Sequence, residues 1–120
     1  MESALRAALL EWLAADPVLA AGINTFVEEA PLRTAPPWLA IAASAAADWG
    51  VKERAGREVR IALELHCRGD DPATAAALVS AIEARVEALP RIHPQFEVAG
   101  IRFLRARAEQ RPNNVRAVLT

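Results

Sequence analysis

The stretch Glu58-Val59-Arg60-Ile61-Ala62-Leu63-Glu64-Leu65-His66-Cys67-Arg68 decides the fold class. Val59, Ile61, Leu63, Leu65 and Cys67 fall on one side of an alternating pattern. Glu58, Arg60, Glu64, His66 and Arg68 fall on the other. Strand side chains point alternately to opposite faces. This segment is therefore a strand with one face on a core and one toward water or a partner.

Working outward, Trp38–Ala46 reads as a preceding strand, introduced by Pro36-Pro37. Asp48–Gly56, with Asp-Trp-Gly and a Lys-Glu-Arg run, reads as a hairpin connection longer than two residues. On the other side, Gly69-Asp70-Asp71-Pro72 opens a helix, with an Asp N-cap and Pro at the first helical position. Its apolar stripe is Ala75, Val79, Ile82, Val86 and Leu89, and Pro90 ends it.

The N-terminal segment is a first helix, capped by Ser3. Leu5, Ala8, Leu9, Trp12 and Leu13 share its buried face. It stops at Asp16, because Pro17 disfavours helical geometry before it. Val18–Ala21 adds one more turn, ended by Gly22. Ile23–Val27 is a short strand and Glu28–Pro37 a proline-containing loop. Phe96–Gln110 is expected to be one long strand whose phase flips at Phe103-Leu104 through a bulge. Pro112-Asn113-Asn114 turns the chain into a last strand, Val115–Thr120.

The expected order is α-β-β-β-α-β-β. It describes a single α+β domain over residues 1–120. A mostly antiparallel sheet of four to five strands carries two helices on one face.

The chain has 120 residues, 53% of them hydrophobic, which suits one cored domain and excludes a disordered chain. Ala supplies 28 of these positions, so the elements pack closely. Net charge is -1, against bulk nucleic-acid binding. No apolar run approaches the roughly 18 residues of a membrane span, and the N-terminus lacks signal-peptide character. Cytoplasmic synthesis is expected. Charge is uneven: residues 1–90 hold 8 Lys+Arg against 13 Asp+Glu, while residues 91–120 hold 6 Arg against 2 Glu. This asymmetry is either a solvated strand face or a basic end of one subunit meeting the acidic body of another.

No catalytic, metal or cofactor site is expected. Cys67 lies on the apolar face, and its neighbour His66 points the other way. His66 and His93 are the only histidines, and no ligand spacing joins them. Asp70-Asp71 reads as a helix cap rather than a ligand pair. The scattered glycines form no phosphate cradle. Trp12 is assigned to the core, and Trp38 to packing over the helix pair. Trp49 is either an interface anchor or a cap over the sheet edge. Few aromatics and no Tyr argue against stacking on single-stranded nucleic acid.

Four segments in this order carry a family resemblance. They are Ala4-Leu5-Arg6-Ala7-Ala8-Leu9-Leu10 with Asp16-Pro17-Val18-Leu19-Ala20; Pro37-Trp38-Leu39-Ala40-Ile41; Gly56-Arg57-Glu58-Val59-Arg60-Ile61-Ala62-Leu63; and Gly100-Ile101-Arg102-Phe103-Leu104 with Asn114-Val115-Arg116-Ala117-Val118-Leu119. Together they resemble the tail-completion, or tail-terminator-like, proteins of siphophages, prophages and gene transfer agents. Two departures stand out. The family usually has an aromatic residue near Leu65-His66-Cys67, and its last strand usually runs further than this one.

The resemblance implies a structural protein of the virion neck or tail. It implies a hexameric ring that ends the tail tube and joins it to the head connector. The implied partners are further copies of the chain, the major tail tube protein and the connector or stopper protein. DNA would pass through the ring without sequence-specific binding, and no membrane is involved. The opposed charges suit head-to-tail contacts, which close into rings. Arg102, Arg105, Arg107, Arg111 and Arg116 are expected to meet a neighbour's acidic groups or to line the ring. The Asp48–Gly56 connection, with Trp49, Lys52 and Arg54, and Arg57 just beyond it, is expected to dock on the tube or the adjacent subunit. The competing readings are another neck protein, such as a stopper or adaptor, and a small-molecule-binding α+β domain.

Overall fold

The computed structural model describes residues 2–28, 35–48, 56–68, 72–111 and 114–120. In chain order the elements are α1 (Glu2–Ala14), α2 (Pro17–Gly22), β1 (Thr25–Val27), β2 (Trp38–Asp48), β3 (Arg57–Arg68), α3 (Pro72–Glu87), β4 (Ala106–Arg111) and β5 (Asn114–Leu119). The five strands form one sheet in the order β1-β2-β3-β5-β4. The β1–β2 pair is parallel and the other pairs are antiparallel. This is the α+β class expected from the pattern. The extra turn after Pro17 is α2, so three helices cover the sheet.

The core lies between the helices and one sheet face. Leu39, Ile41, Leu63, Leu65, Cys67, Ala117 and Leu119 meet Leu9, Leu13, Leu19, Ile23, Ala75, Leu78 and Ile82. The α3 stripe includes Leu78, which the 4-3-4-3 reading passed over, while Val79 and Val86 are only partly buried. Cys67 is 3% exposed, and burial pushes its thiol above the ordinary range. Native Cys67 should react with a thiol reagent roughly a thousandfold more slowly than the unfolded chain, because attack requires opening of the core. A rate near that of the unfolded chain, measured by mass spectrometry, would refute this placement.

Trp12 is half-buried rather than core. Its indole N–H donates to the Arg85 carbonyl at 2.8 Å, and Arg85 Nε donates to the Trp12 carbonyl at 2.9 Å. The Arg85 guanidinium lies 3.4 Å from the Trp12 ring centroid. A cation–π contact and two hydrogen bonds thus latch α1 to α3. Trp38 does not pack over the helices. Its register partner is His66, on the opposite sheet face, and the two rings stack at 4.1 Å.

The long strand expected over Phe96–Gln110 is reduced to β4. A strand needs a partner ladder, and β5 offers β4 only Asn114–Leu119. Residues 90–105 instead form irregular chain with one isolated bridge, Ile92 to Glu97, and His93 stacked on Phe96. The register irregularity lies elsewhere, in β2 between Ile41 and Ala43.

Candidate assembly surface

Three features of the surface remain once the core is accounted for. The first is an arm. β2 and β3 pair along their length, from Trp38↔His66 to Asp48↔Arg57. β1 accompanies β2 only at Trp38–Ala40, and β5 accompanies β3 only at Leu63–Arg68. Beyond these limits Ala43–Asp48 and Arg57–Ala62 form a two-stranded ribbon with no third strand among the described residues. Residues 42–48 are all exposed. At about 3.3 Å per residue they run about 20 Å beyond the last strand that flanks them. The molecule accordingly measures 51 × 25 × 24 Å.

The sequence builds this arm through pairing rather than propensity. Ala is a weak strand former, yet β3 supplies a β-branched partner at Val59 and Ile61. The N-terminal end of α1 lies along the arm, from Ser44 near its base to Arg57 at its far end. Arg6 donates to Ser44 Oγ at 3.3 Å and pairs with Glu28 at 2.8 Å, while Arg57 lies 3.5 Å from Glu2. Ile61 rests against the core. The opposite face of the arm carries Ala43, Ala45, Ala47 and Ala62 with Glu58 and Arg60, which pair at 3.1 Å.

The second feature is an ionic cluster on the sheet face away from the helices. Glu64 Oε1 accepts from His66 Nε2 and from Arg116 Nε, both at 2.6 Å. Arg116 also approaches Glu109 at 3.7 Å. Partial burial opposes ionisation of Glu64 and is the largest single influence. The hydrogen bonds and charges of Arg116 and His66 together outweigh it and hold the carboxyl below its ordinary value of 4.5. A lowered folded value stabilises the protein above the unfolded value and loses that stabilisation as pH falls through the folded one. Glu64→Gln should therefore cost about 1–2 kcal/mol at pH 7, the scale of a charge-assisted hydrogen bond. The difference from wild type should shrink below about pH 4.5. A constant difference across that range, in urea melts, would exclude Glu64 ionisation as its source.

The third feature is a basic flank. Arg102, Arg105 and Arg107 are exposed on or beside β4, with Arg107 also 2.7 Å from Glu109. Arg116 is not free in this way, since Glu64 engages it. Arg57 stands at the end of the arm. Trp49, Lys52 and Arg54 lie outside the described residues, as does the Arg111 side chain. The structure thus gathers Arg102, Arg105 and Arg107 on one flank and leaves Arg57 apart on the arm. Sequence reading missed the Glu64–His66–Arg116–Glu109 cluster. The alternation put Glu64 and His66 on one face, but the strand register was needed to add the other two.

Among the described residues no group of three His, Cys, Asp or Glu side chains is placed to hold a metal ion. No helix among them is long and apolar enough to cross a membrane.

The family model described as Tail completion protein gp17 matches residues 7–120. The chain belongs to the tail-completion protein family. The fold is similar to that of a chain in the virion of a native gene transfer agent particle. The TM-score is 0.81 at 26% identity, over 96% of this chain and 89% of that one. No curated protein matches it. This tail-completion protein is a structural component of a phage-like tail. Its place is the neck or tail of the particle.

Proposed function

We propose that six copies of the chain close into a ring at the head-proximal end of the tail. The ring ends growth of the tail tube and joins the tube to the head connector. The observation that carries this reading is the arm: a paired ribbon with no third strand among the described residues, touched by the N-terminal end of α1 through Glu2 and Arg6. A two-stranded ribbon held at one face by only a few contacts is marginal in water, so its natural setting is against a partner. The arm and its connection dock on the tube or on the adjacent copy. Arg102, Arg105 and Arg107 meet acidic groups of a neighbour, in keeping with the opposed charge of the two ends of the chain. DNA passes through the ring without sequence-specific contacts, and the protein performs no catalysis.

Electron microscopy of particles made without this protein tests the reading. Over-long tubes and heads without tails are expected. Normal tailed particles would overturn it.

A further inference from the structure

Two complementary apolar features lie far apart on the same chain. One is a groove of about 430 Å³ between α2 and α3, lined by Val18, Gly22, Pro37, Ala73, Ala77 and Leu78, with Thr74 as its polar member. Gly22 lets α2 pack closely on α3 at the groove's wall: a Cβ there would come within 2.9 Å of Leu78. Val18, 65% exposed, stands at the rim. The other feature is a knob, Phe103-Leu104, exposed at 40% and 39% in the chain leading into β4. Its backbone is fixed, because Leu104 and Arg105 N–H donate to the Thr120 carbonyl and Thr120 N–H donates to that of Arg105.

The sheet topology keeps the two apart. The groove adjoins Pro37, at the β1–β2 edge and at the end where β2 starts opposite His66. The knob lies at the β4 edge and at the other end, where Ala106 and Leu63 face Leu119. One chain cannot bring them together, but two copies can. A contact between different patches is head-to-tail, the kind that closes into rings.

Charge agrees with this pairing. The knob is flanked by Arg102 and Arg105, both exposed. Two residues before Val18 of the groove's rim, Asp16 occupies the N-cap position of α2 yet makes no side-chain cap hydrogen bond. A carboxylate not engaged in capping α2 can pair with a guanidinium beside the seated knob.

We propose that Phe103 and Leu104 of one copy seat in the α2–α3 groove of the next, with Arg102 or Arg105 against Asp16. This rests on the ring reading above and names the contact that builds the ring. It is a hot-spot arrangement, with an aromatic anchor in an apolar recess and charges at the rim.

Purified particles carrying the double variant Ala77→Cys and Leu104→Cys test it. Mild oxidation should produce a ladder of covalent oligomers, because the seated geometry brings the two Cα atoms near the roughly 4.4–6.8 Å a disulfide requires. Covalent dimers alone would mean a reciprocal two-fold pair and would overturn the head-to-tail contact. Monomers alone, in particles whose images show a ring of this protein, would overturn the proposal while the ring stands. Particles with a single copy each would overturn the ring reading and this contact with it. As a second arm, Phe103→Asp should lower the yield of tailed particles about tenfold or more. Its thermal melt should stay close to wild type, since Phe103 is outside the core. Wild-type yield from a folded variant would count against the knob.

Discussion

Leu65→Ala is expected to lower the free energy of unfolding by about 3–5 kcal/mol, the upper part of the range for buried leucines. Leu65 is fully buried in β3, opposite Leu39 on one side and Ala117 on the other. The ladders to β2 and β5 hold its backbone from both sides, so the sheet cannot close over the lost volume. Ala117 is too short to fill it. A domain of this size has about 5–15 kcal/mol in total, so the variant sits near the edge of folding. Thermal unfolding should fall by roughly 10–20 °C, at a few degrees per kcal/mol. The half-buried Val79→Ala should cost about 1 kcal/mol. A loss below about 1.5 kcal/mol for Leu65→Ala, in urea melts, would mean that the Ala-rich core collapses around the gap.

Shortening the arm has the second large effect, on assembly rather than folding. Removing Ala43–Ala46 together with Val59–Ala62 deletes four matched pairs and leaves Ile41↔Leu63 and Ala47↔Glu58 in register. An even number from each strand keeps every remaining side chain on its own face. The variant loses the Ser44 contact with Arg6 and the packing of Ile61, a cost of about 2–3 kcal/mol. It should therefore stay folded, with an unchanged far-ultraviolet spectrum, while tailed particles disappear. Full yield of normal particles from the shortened protein would show that the arm has no docking role.

The sequence reveals elements whose own pattern defines them. The alternation of Val59 to Arg68 gives β3, its buried face and the inert setting of Cys67. Pro17, Gly22, Pro72 and Pro90 mark helix boundaries within a few residues of those observed. β2 is harder to read, since a run of Ala has no periodicity and takes its conformation from the partner strand. Phe96–Gln110 misleads for the complementary reason: extended character is local, but a strand exists only as far as β5 reaches. Trp38 and Trp12 show the same limit at the side-chain level. The indole of Trp38 finds His66, and that of Trp12 finds Arg85, through pairings set by register and helix packing. The cluster around Glu64 joins residues 52 positions apart, and no local pattern announces it.

The open ribbon also carries its own clock. In such a ribbon, alternate amides of Ala42–Asp48 point away from β3, where no strand among the described residues accepts from them. Those amides exchange their hydrogens rapidly in the free subunit, while the inward amides and the β3–β5 ladder exchange slowly. Seating the arm against a partner strand or surface would close that difference. Hydrogen exchange along one eleven-residue strand would then report, residue by residue, how much of the arm is engaged at each stage of tail assembly.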